Sequence, residues 1–396
     1  MNDKILLVDD DAMVLAGLKR QLKNQFNVET AVSGEEALKM VTKNGPYAVV
    51  VSDFLMPGMN GIEFLCRLKE NSPDTVRMML TGSDDMPIAI GAVNKGSIFQ
   101  FHSKPCPADI LGEAITAGIE EHRKITANNS QLDKVKVSLA HASEIQKNLM
   151  PKSDPQVDGF DIAGKCIWCD ETGGDYYDFI DSRDLGQGKF GIVVSDVSGH
   201  GISSALLMAT ARAFIRELIH SRRGPAPIVG EVNKRLTRDI GESGMFMTMF
   251  YSEIDTKENC IRWARAGHEP AILFDPDTNS FEDLSGQGVP LGIWQDSAYE
   301  ESMKRVNPGQ VILIGTDGIK ETCNSRGEMF GKNRLKNIMR DHAQKSAKEI
   351  IAALVQAMED FRFPMEMEDD VTLVIIKVDR SGFKTLDRVW EQGAGR

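Results

Sequence analysis

The sequence has little that would place the protein in a membrane or on nucleic acid. No apolar run in its 396 residues approaches the roughly 18 that a membrane-spanning helix needs. Acidic residues outnumber basic ones, 58 to 46, and the formal net charge of −12 disfavours direct nucleic-acid binding. The N-terminal apolar segment ends in three aspartates, which is atypical of a signal peptide. We therefore expect a cytoplasmic protein with neither a membrane nor a nucleic acid as a direct partner.

The six cysteines are scattered and form no disulfide framework. Cys166 and Cys169 make a lone C-x-x-C pair, without the second pair of ligands that a structural zinc site needs. Reduced thiols in a cytosolic protein are the simpler interpretation.

The first third of the chain alternates strand-like and helix-like segments. "KILLVD" and "YAVVVSD" are nearly continuous apolar runs, as in strands buried on both faces of a parallel sheet. "AMVLAGLKRQL" and "GEEALKMVTK" have the pattern of helices between them, and "VRMMLTG" and "SIFQFHSK" supply later strands. Residues 1–122 are therefore predicted to form a doubly wound α/β domain, with its site at the carboxyl ends of the strands.

Residues 108–150 are predicted to be helical, and residues 123–152 to form a linker. Either one monomeric helix packs on its neighbours, or a parallel coiled coil dimerises the chain. The coiled coil is favoured, although the polar Asn128 and Gln146 would lie in its seam. Ser130 could instead cap a separate helix. The apolar heptad positions are Ile125, Leu132, Val135, Leu139, Ala142 and Leu149.

Residues 153–380 contain many strand-like segments and few long helices, which predicts an α+β sheet sandwich. The strands are expected at "FDIAGK", "YYDFID", "KFGIVVSD", "FMTMFYSEI", "CIRWARAG", "QVILIGTD" and "DVTLVIIKV". Helices are expected at 203–220, 226–240 and 346–361. The tail, 381–396, has little pattern and is expected to be mobile.

Five polar residues follow predicted strands of the first domain. Asp9 and Asp10 end the first strand, and Asp53 ends "YAVVVSD". Thr81 ends a later strand, and Lys104 lies just before Pro105. Carboxylates this close repel one another unless a cation lies among them, and an oxygen-ligated ion such as Mg²⁺ suits them. Together with a hydroxyl and an ammonium, they suit transfer of a phosphoryl group onto Asp53.

Acids also flank apolar strands of the second domain. Asp175 follows two glycines, Asp196 ends "GIVVSD", Asp317 follows "ILIGT", and Asp369 and Asp370 precede the last strand. One such acid is usually part of a turn, whereas four separate positions suggest a shared site. Two divalent ions roughly 3.5–4 Å apart would offset the repulsion and activate a water for hydrolysis, without a Cys or Ser nucleophile.

The first set of motifs, "LLVDDD", "SDFLMPGMNG", "LTG" and "FHSKP", resembles the receiver domain of two-component response regulators, which has a flavodoxin-like fold. The resemblance implies that Asp53 is the phosphoacceptor for a cognate histidine kinase. Thr81 and Lys104 would bind the phosphoryl oxygens. The implied Mg²⁺ ligands are Asp9, Asp10, Asp53 and the backbone carbonyl of Leu55.

The second set resembles the SpoIIE/RsbU-type branch of the PPM serine/threonine phosphatases. It comprises "EIQKNLMP", "GGDYYDF", "SDVSGHG", "ARAGHEPAILF", "GVPLG", "TDGIKE" and "DDVTL". The resemblance implies two Mn²⁺ or Mg²⁺ ions, with Asp370 as the alternative to Asp369. The implied ligands are Asp175, Asp196, the Val197 carbonyl, Asp317 and Asp369.

Together, the two resemblances imply a response regulator whose phosphorylation controls a protein phosphatase. The expected substrate is a phosphoserine or phosphothreonine protein, such as an anti-sigma-factor antagonist, and a homodimer through the linker is expected. The alternative is a phosphorylation-controlled adaptor that captures a partner with an inert phosphatase fold. An inert fold should lack metal carboxylates, and this chain keeps them.

Overall fold

The computed structural model describes residues 3–82, 97–221 and 223–380, so the predicted tail at 381–396 lies outside the described residues. The chain divides into two compact units, Met1–Lys136 and Val137–Arg396. None of the described helices combines the length and the apolar character needed to cross a bilayer.

The first unit is a parallel sheet with helices on both faces, as the sequence predicted. Alternate residues of the first strand face two cores: Leu6 packs with residues of α2 and α3, and Ile5 with residues of α1 and α4. Within the described residues the strand order is β2-β1-β3-β4-β5, and all of these pairs are parallel. The elements are β1 (Lys4–Val8), α1 (Ala12–Leu22), β2 (Asn27–Ala31), α2 (Gly34–Asn44), β3 (Val49–Asp53), α3 (Gly61–Asn71), β4 (Val76–Thr81), β5 (Gln100–Ser103) and α4 (Ala108–Leu149).

Helix α4 is continuous, so the separate helix that Ser130 could have capped does not form. Its first turns contribute Leu111 and Ile115 to a core of the first unit. Residues 127–138 are all exposed to solvent, whereas Gln146 near the end of the helix is buried. Gln146, which the heptad pattern assigned to an intermolecular seam, is therefore buried by residues of its own chain.

The second unit is a sandwich of two antiparallel sheets. Its strands are β6 (Gln156–Val157), β7 (Phe160–Ile167), β8 (Tyr176–Ile180), β9 (Lys189–Val197), β10 (Met247–Asp255), β11 (Cys260–Ala266), β12 (Ala271–Asp275), β13 (Ser280–Leu284), β14 (Ser302–Arg305), β15 (Val311–Gly315) and β16 (Val371–Val378). In the described part of the chain, one sheet has the order β14-β11-β10-β9-β8 and the other β13-β12-β15-β16-β7-β6.

Apolar side chains fill the space between the sheets, and helices cover both outer faces. The helices are α5 (Ser182–Leu185), α6 (Ile202–Leu218), α7 (Pro225–Ile240), α8 (Gly318–Glu321), α9 (Gly331–Asp341) and α10 (Ala347–Arg362). Ile192 of β9 faces the other sheet, while its neighbour Val193 faces α6 and α7. Helices α9 and α10 pack on the second sheet through residues such as Leu335 and Leu354. The predicted α+β sandwich is confirmed.

Candidate functional site

The register of the parallel sheet brings the predicted site residues of the first unit to one edge. Strands β1, β3, β4 and β5 pair so that their carboxyl ends align. Asp53 and Thr81 end β3 and β4, and Asp9 and Lys104 directly follow β1 and β5, so the four residues lie at the ends of adjacent strands. In a doubly wound sheet this edge is where ligands bind.

Three carboxylates and one ammonium meet at this edge. Asp9, Asp10 and Asp53 each offer an oxygen within 4.8 Å of the other two. The Nζ of Lys104 lies 2.7 Å from Oδ2 of Asp9 and 2.5 Å from Oδ1 of Asp53. Burial raises the pKa of the Asp53 carboxyl, although Lys104 opposes that shift. Lys104 is itself partly buried, but its bonds to Asp53 and Asp9 raise its pKa, so it stays protonated.

The other two residues assigned to this edge differ in exposure. Thr81 is fully buried, and its hydroxyl lies 3.3 Å from the carbonyl oxygen of Gly82. The side chain of Leu55 is largely exposed, two residues after Asp53. Because the leucine side chain is apolar, only the backbone carbonyl of Leu55 is suited to a polar role at this edge.

The acids of the second unit lie at one end of the sandwich. Asp196 is the penultimate residue of β9, and Asp175 directly precedes β8, which pairs with β9. Asp317 follows β15, and Asp369 and Asp370 precede its neighbour β16. The backbone after Asp196 turns through two glycines with positive φ, 80° and 83°, before α6 begins at Ile202.

These carboxylates interact strongly with one another. Burial raises the pKa of Asp196 to about 7, and four neighbouring carboxylates add to the shift: Asp317, Asp369, Asp370 and Glu321. Burial also raises the pKa of Asp175 well above its ordinary value, with added repulsion from Asp196 and Asp370. A cluster of acids that resists ionisation suits divalent cations.

Asp370 and Asp369 have different partners. Oδ2 of the buried Asp370 accepts hydrogen bonds from the backbone N–H groups of Gly174 at 2.8 Å and Asp175 at 3.2 Å. Its Oδ1 accepts another from Cys169 at 2.9 Å. Asp369 is exposed, and its carboxylate accepts from the backbone N–H of Asp370 at 2.8 Å. Asp370 thus holds the loop before Asp175. The pKa of Asp369 is raised by partial burial and by the charges of Asp317, Asp370 and Glu321, so Asp369 belongs electrostatically to the acidic cluster.

The structure adds a hydroxyl that the sequence did not single out. Oγ1 of Thr316 donates to Oδ2 of Asp175 at 2.7 Å and accepts from the backbone N–H of Thr372 at 3.0 Å. These bonds connect the Asp175 carboxylate, directly before β8, to the residue after β15 and to β16 of the other sheet. The only sequence signal is the position of Thr316 directly before Asp317 in the "TDG" motif.

Two histidines near the motifs are engaged elsewhere. Nδ1 of His200 lies 2.6 Å from Oδ2 of Asp170, in solvent. His268 is buried with its Nδ1 2.8 Å from the hydroxyl of Thr248, and burial lowers its pKa to about 4. His268 is therefore neutral at physiological pH.

Two family profiles match the chain. The family described as "Response regulator receiver domain" matches residues 5–116, and the family described as "Stage II sporulation protein E (SpoIIE)" matches residues 186–379. This chain joins a response regulator receiver domain to a SpoIIE-type PPM phosphatase domain. The first carboxylate set lies within the residues that match the receiver family. In the second set, Asp196, Asp317, Asp369 and Asp370 lie within the SpoIIE match, and Asp175 lies shortly before it.

Similar proteins support the phosphatase assignment. "Phosphoserine phosphatase RsbU" of Bacillus subtilis is 26% identical over 261 residues, which cover 65% of this chain and 74% of RsbU. "Phosphoserine phosphatase RsbP" of the same organism is 24% identical over 250 residues, or 61% of this chain and 58% of RsbP. The solved SiaA-PP2C domain of Pseudomonas aeruginosa matches 63% of this chain and 99% of its own length, with a TM-score of 0.55 and 25% identity.

Proposed function

We propose that this chain is a response regulator in which phosphorylation of Asp53 controls a metal-dependent protein serine/threonine phosphatase. The observation that carries the proposal is the convergence of Asp175, Asp196, Asp317 and Asp369 at one end of the sandwich, in a chain with a receiver site. The expected phosphodonor is a histidine kinase. The expected substrate is a phosphoserine or phosphothreonine protein, such as an anti-sigma-factor antagonist, and the names of RsbU and RsbP favour phosphoserine.

In the receiver domain, an oxygen of Asp53 would attack the phosphorus of the donor and displace its imidazole. Lys104 contacts Asp53 and Asp9 and is placed to neutralise the transferred group. The hydroxyl of Thr81 would donate to a phosphoryl oxygen. The mutual approach of the three carboxylates fits Mg²⁺. Its ligands would be Asp9, Asp10, Asp53 and the Leu55 carbonyl.

The phosphatase site also fits divalent cations. Burial and the neighbouring carboxylates raise the pKa values of Asp175 and Asp196, yet in the described residues only the receiver trio closes to within 4.8 Å. Two ions roughly 3.5–4 Å apart require ligands spread more widely than one ion does. The ligands of two Mn²⁺ or Mg²⁺ ions would be Asp175, Asp196, the Val197 carbonyl, Asp317 and Asp369.

Such ions would supply Lewis acidity that neutralises the phosphate and makes water nucleophilic at neutral pH. The protein's own contribution is to fix the carboxylates. Thr316 orients one oxygen of Asp175, and Asp370 holds the backbone of Gly174 and Asp175. Because its three backbone donors occupy both of its oxygens, we assign Asp370 to this supporting role and Asp369 to the metal.

We also propose that the chain is a homodimer through α4. Leu132 and Val135 lie in the exposed stretch 127–138, with 52% and 55% of their surfaces in solvent. They are three residues apart, as the a and d positions of a coiled coil are. The corresponding domain boundaries are 1–122 for the receiver, 123–152 for the linker and 153–380 for the phosphatase.

The phosphatase proposal is tested by hydrolysis of p-nitrophenyl phosphate and a phosphoserine peptide by the full chain with Mn²⁺. Asp196→Asn and Asp317→Asn should each lower the rate by at least about 100-fold, because each removes a metal carboxylate. Asp239→Asn, at an exposed position of α7, is the matched control. Near-normal rates in both site variants at saturating Mn²⁺ would contradict the two-metal site, and an inactive wild-type chain would favour the adaptor.

The receiver proposal is tested separately with acetyl phosphate. Asp53→Asn should abolish acid-stable, hydroxylamine-labile phosphorylation while leaving basal hydrolysis intact, because the two carboxylate sets lie in different domains. The same label in Asp53→Asn as in the wild type would exclude Asp53 as the phosphoacceptor.

A further inference from the structure

Gln146 is a buried amide near the end of a helix that is otherwise mostly exposed. Only 4% of its surface reaches solvent, while both residues on each side of it in α4 are exposed. Its Nε2 donates to the carbonyl oxygen of Gly173 at 2.6 Å, and its Oε1 accepts from the N–H of the same residue at 3.2 Å. A buried amide with both ends engaged in this way fixes its partner's orientation as well as its position.

Gly173, the partner of Gln146, is at a position that only glycine can occupy. A Cβ on Gly173 would lie 2.0 Å from Cδ1 of Trp168 and 2.4 Å from Oδ2 of Asp370. Gly173 is thus enclosed by an indole ring, a carboxylate and the amide of Gln146. Of these three neighbours, Gln146 is the one that belongs to α4, and it binds the Gly173 backbone through both of its hydrogen bonds.

The segment held by Gln146 leads directly into the phosphatase site. Gly174 and Asp175 follow Gly173, and both donate their backbone N–H groups to Asp370. A Cβ on Gly174 would lie 2.8 Å from the carbonyl oxygen of Val197. A displacement of Gly173 would therefore be transmitted to the Asp175 carboxylate and to the Val197 carbonyl, both of which we propose as metal ligands.

We propose that Gln146 is a positioning residue for the phosphatase metal site: it anchors Gly173 to α4 and thereby sets Asp175. This inference rests on the proposed function for the identity of the metal ligands, but the anchoring contact does not depend on it. The last turns of α4 become part of the site's support. Any signal that moves or frays those turns loosens a metal-ligand loop, so α4 has a direct route to the activity.

The test uses the full chain with Gln146→Met, which keeps the side chain's length but cannot form either hydrogen bond. Gln131→Met, on the exposed stretch of α4, is the matched control. We expect Gln146→Met to raise the Mn²⁺ concentration for half-maximal p-nitrophenyl phosphate hydrolysis by roughly 10–100-fold, the usual cost of losing a group that orients a metal ligand. The rate at saturating Mn²⁺ should stay within about threefold of wild type, since no ligand is removed.

Hydrogen–deuterium exchange gives a second readout that does not require activity. Peptides covering 169–176 should exchange faster in Gln146→Met than in the wild type or in Gln131→Met, while other core strands stay protected. Gln146→Glu, which keeps the acceptor for the Gly173 N–H but loses the donor to its carbonyl, should also loosen this loop, and it serves if the Met variant does not fold.

The inference is overturned if the variants only melt earlier, with unchanged half-saturating Mn²⁺ and unchanged exchange at 169–176. A wild-type chain that hydrolyses nothing would instead count against the proposed function. In that case the exchange measurement would still decide whether Gln146 anchors the loop.

Discussion

The adjacent acids Asp369 and Asp370 show how far identical side chains can differ in role. The three backbone donors to Asp370 come from 169–175, about 200 positions earlier in the chain. No local pattern could separate the two residues, because the difference arises only when β16 and the loop before β8 come together. The sequence pattern predicted an acid at this strand end, and the tertiary contacts of Asp370 leave Asp369 as the acid that we assign to the metal.

The different partners of Asp369 and Asp370 predict opposite effects on stability. Asp370→Ala removes the acceptor of two buried backbone N–H groups and one partly buried one, and it should lower the free energy of unfolding by roughly 2–5 kcal/mol. Asp369→Ala should change it by less than about 1 kcal/mol, because the side chain is exposed. Urea unfolding in EDTA measures both, and equal losses in the two variants would contradict the assignment.

The raised pKa of Asp196 predicts how pH affects the metal-free protein. Its carboxyl ionises at about pH 7 in the folded state, against an ordinary value of 3.8. Between these values the folded state holds more protons than the unfolded chain, so stability falls as the pH rises from about 4 to about 7. Asp196→Asn removes this penalty and should raise the free energy of unfolding at pH 8 by on the order of 2–4 kcal/mol. The variant should therefore melt several degrees higher than wild type at that pH.

The difference in melting temperature between Asp196→Asn and wild type should shrink as the pH is lowered. It should vanish near pH 4, where the wild-type carboxyl is protonated and therefore uncharged, like the Asn amide. Thermal unfolding in EDTA across this range measures the effect, and Asp239→Asn should follow wild type throughout. A variant that melts below wild type at pH 8 would show that Asp196 stabilises the fold through contacts rather than straining it.

At the scale of helices and strands, the sequence predicted most of the long buried strands, but it missed the buried strand β12 and the exposed strands β13 and β14. The apolar runs that became β1, β3, β9, β15 and β16 were identifiable because they are buried along most of their length. β13 and β14 were missed because they are short, mostly polar and solvent-exposed, and they form only by pairing with β12 and β11. Such edge strands depend on their neighbours rather than on their own pattern.

The heptad pattern of α4 shows a different limit of prediction. Spacing of three and four residues marks one face of a helix but does not say what covers that face. Leu149 packs on a core of the phosphatase domain and Ile125 on one of the receiver domain, so the same pattern serves two intramolecular contacts. The exposed stretch 127–138 between them is available for a second chain.

For the whole molecule, α4 is the segment that joins the two domains in sequence. A dimer seam in α4 would make the coupling between receiver phosphorylation and phosphatase activity cooperative. A coupling free energy of about 1–3 kcal/mol would change phosphatase activity 5- to 150-fold on phosphorylation. Coupling through α4 requires that phosphorylation favour one arrangement of this helix over another. The exposed a and d positions are where that arrangement can be tested without disturbing either domain's core.

Leu132→Asp combined with Val135→Asp should break the seam, because buried like charges would face one another across it. The matched control is Ser130→Asp with Val137→Asp, which places the same two acids at outward-facing heptad positions; Val137 is as exposed as Val135, at 56%. We expect the seam variant to be monomeric by light scattering and to lose its response to beryllofluoride, while its basal hydrolysis persists. The control should keep both the dimer mass and the response. A seam variant that retained wild-type mass and full response would mean that α4 only tethers the domains, and that coupling takes a route without a second chain.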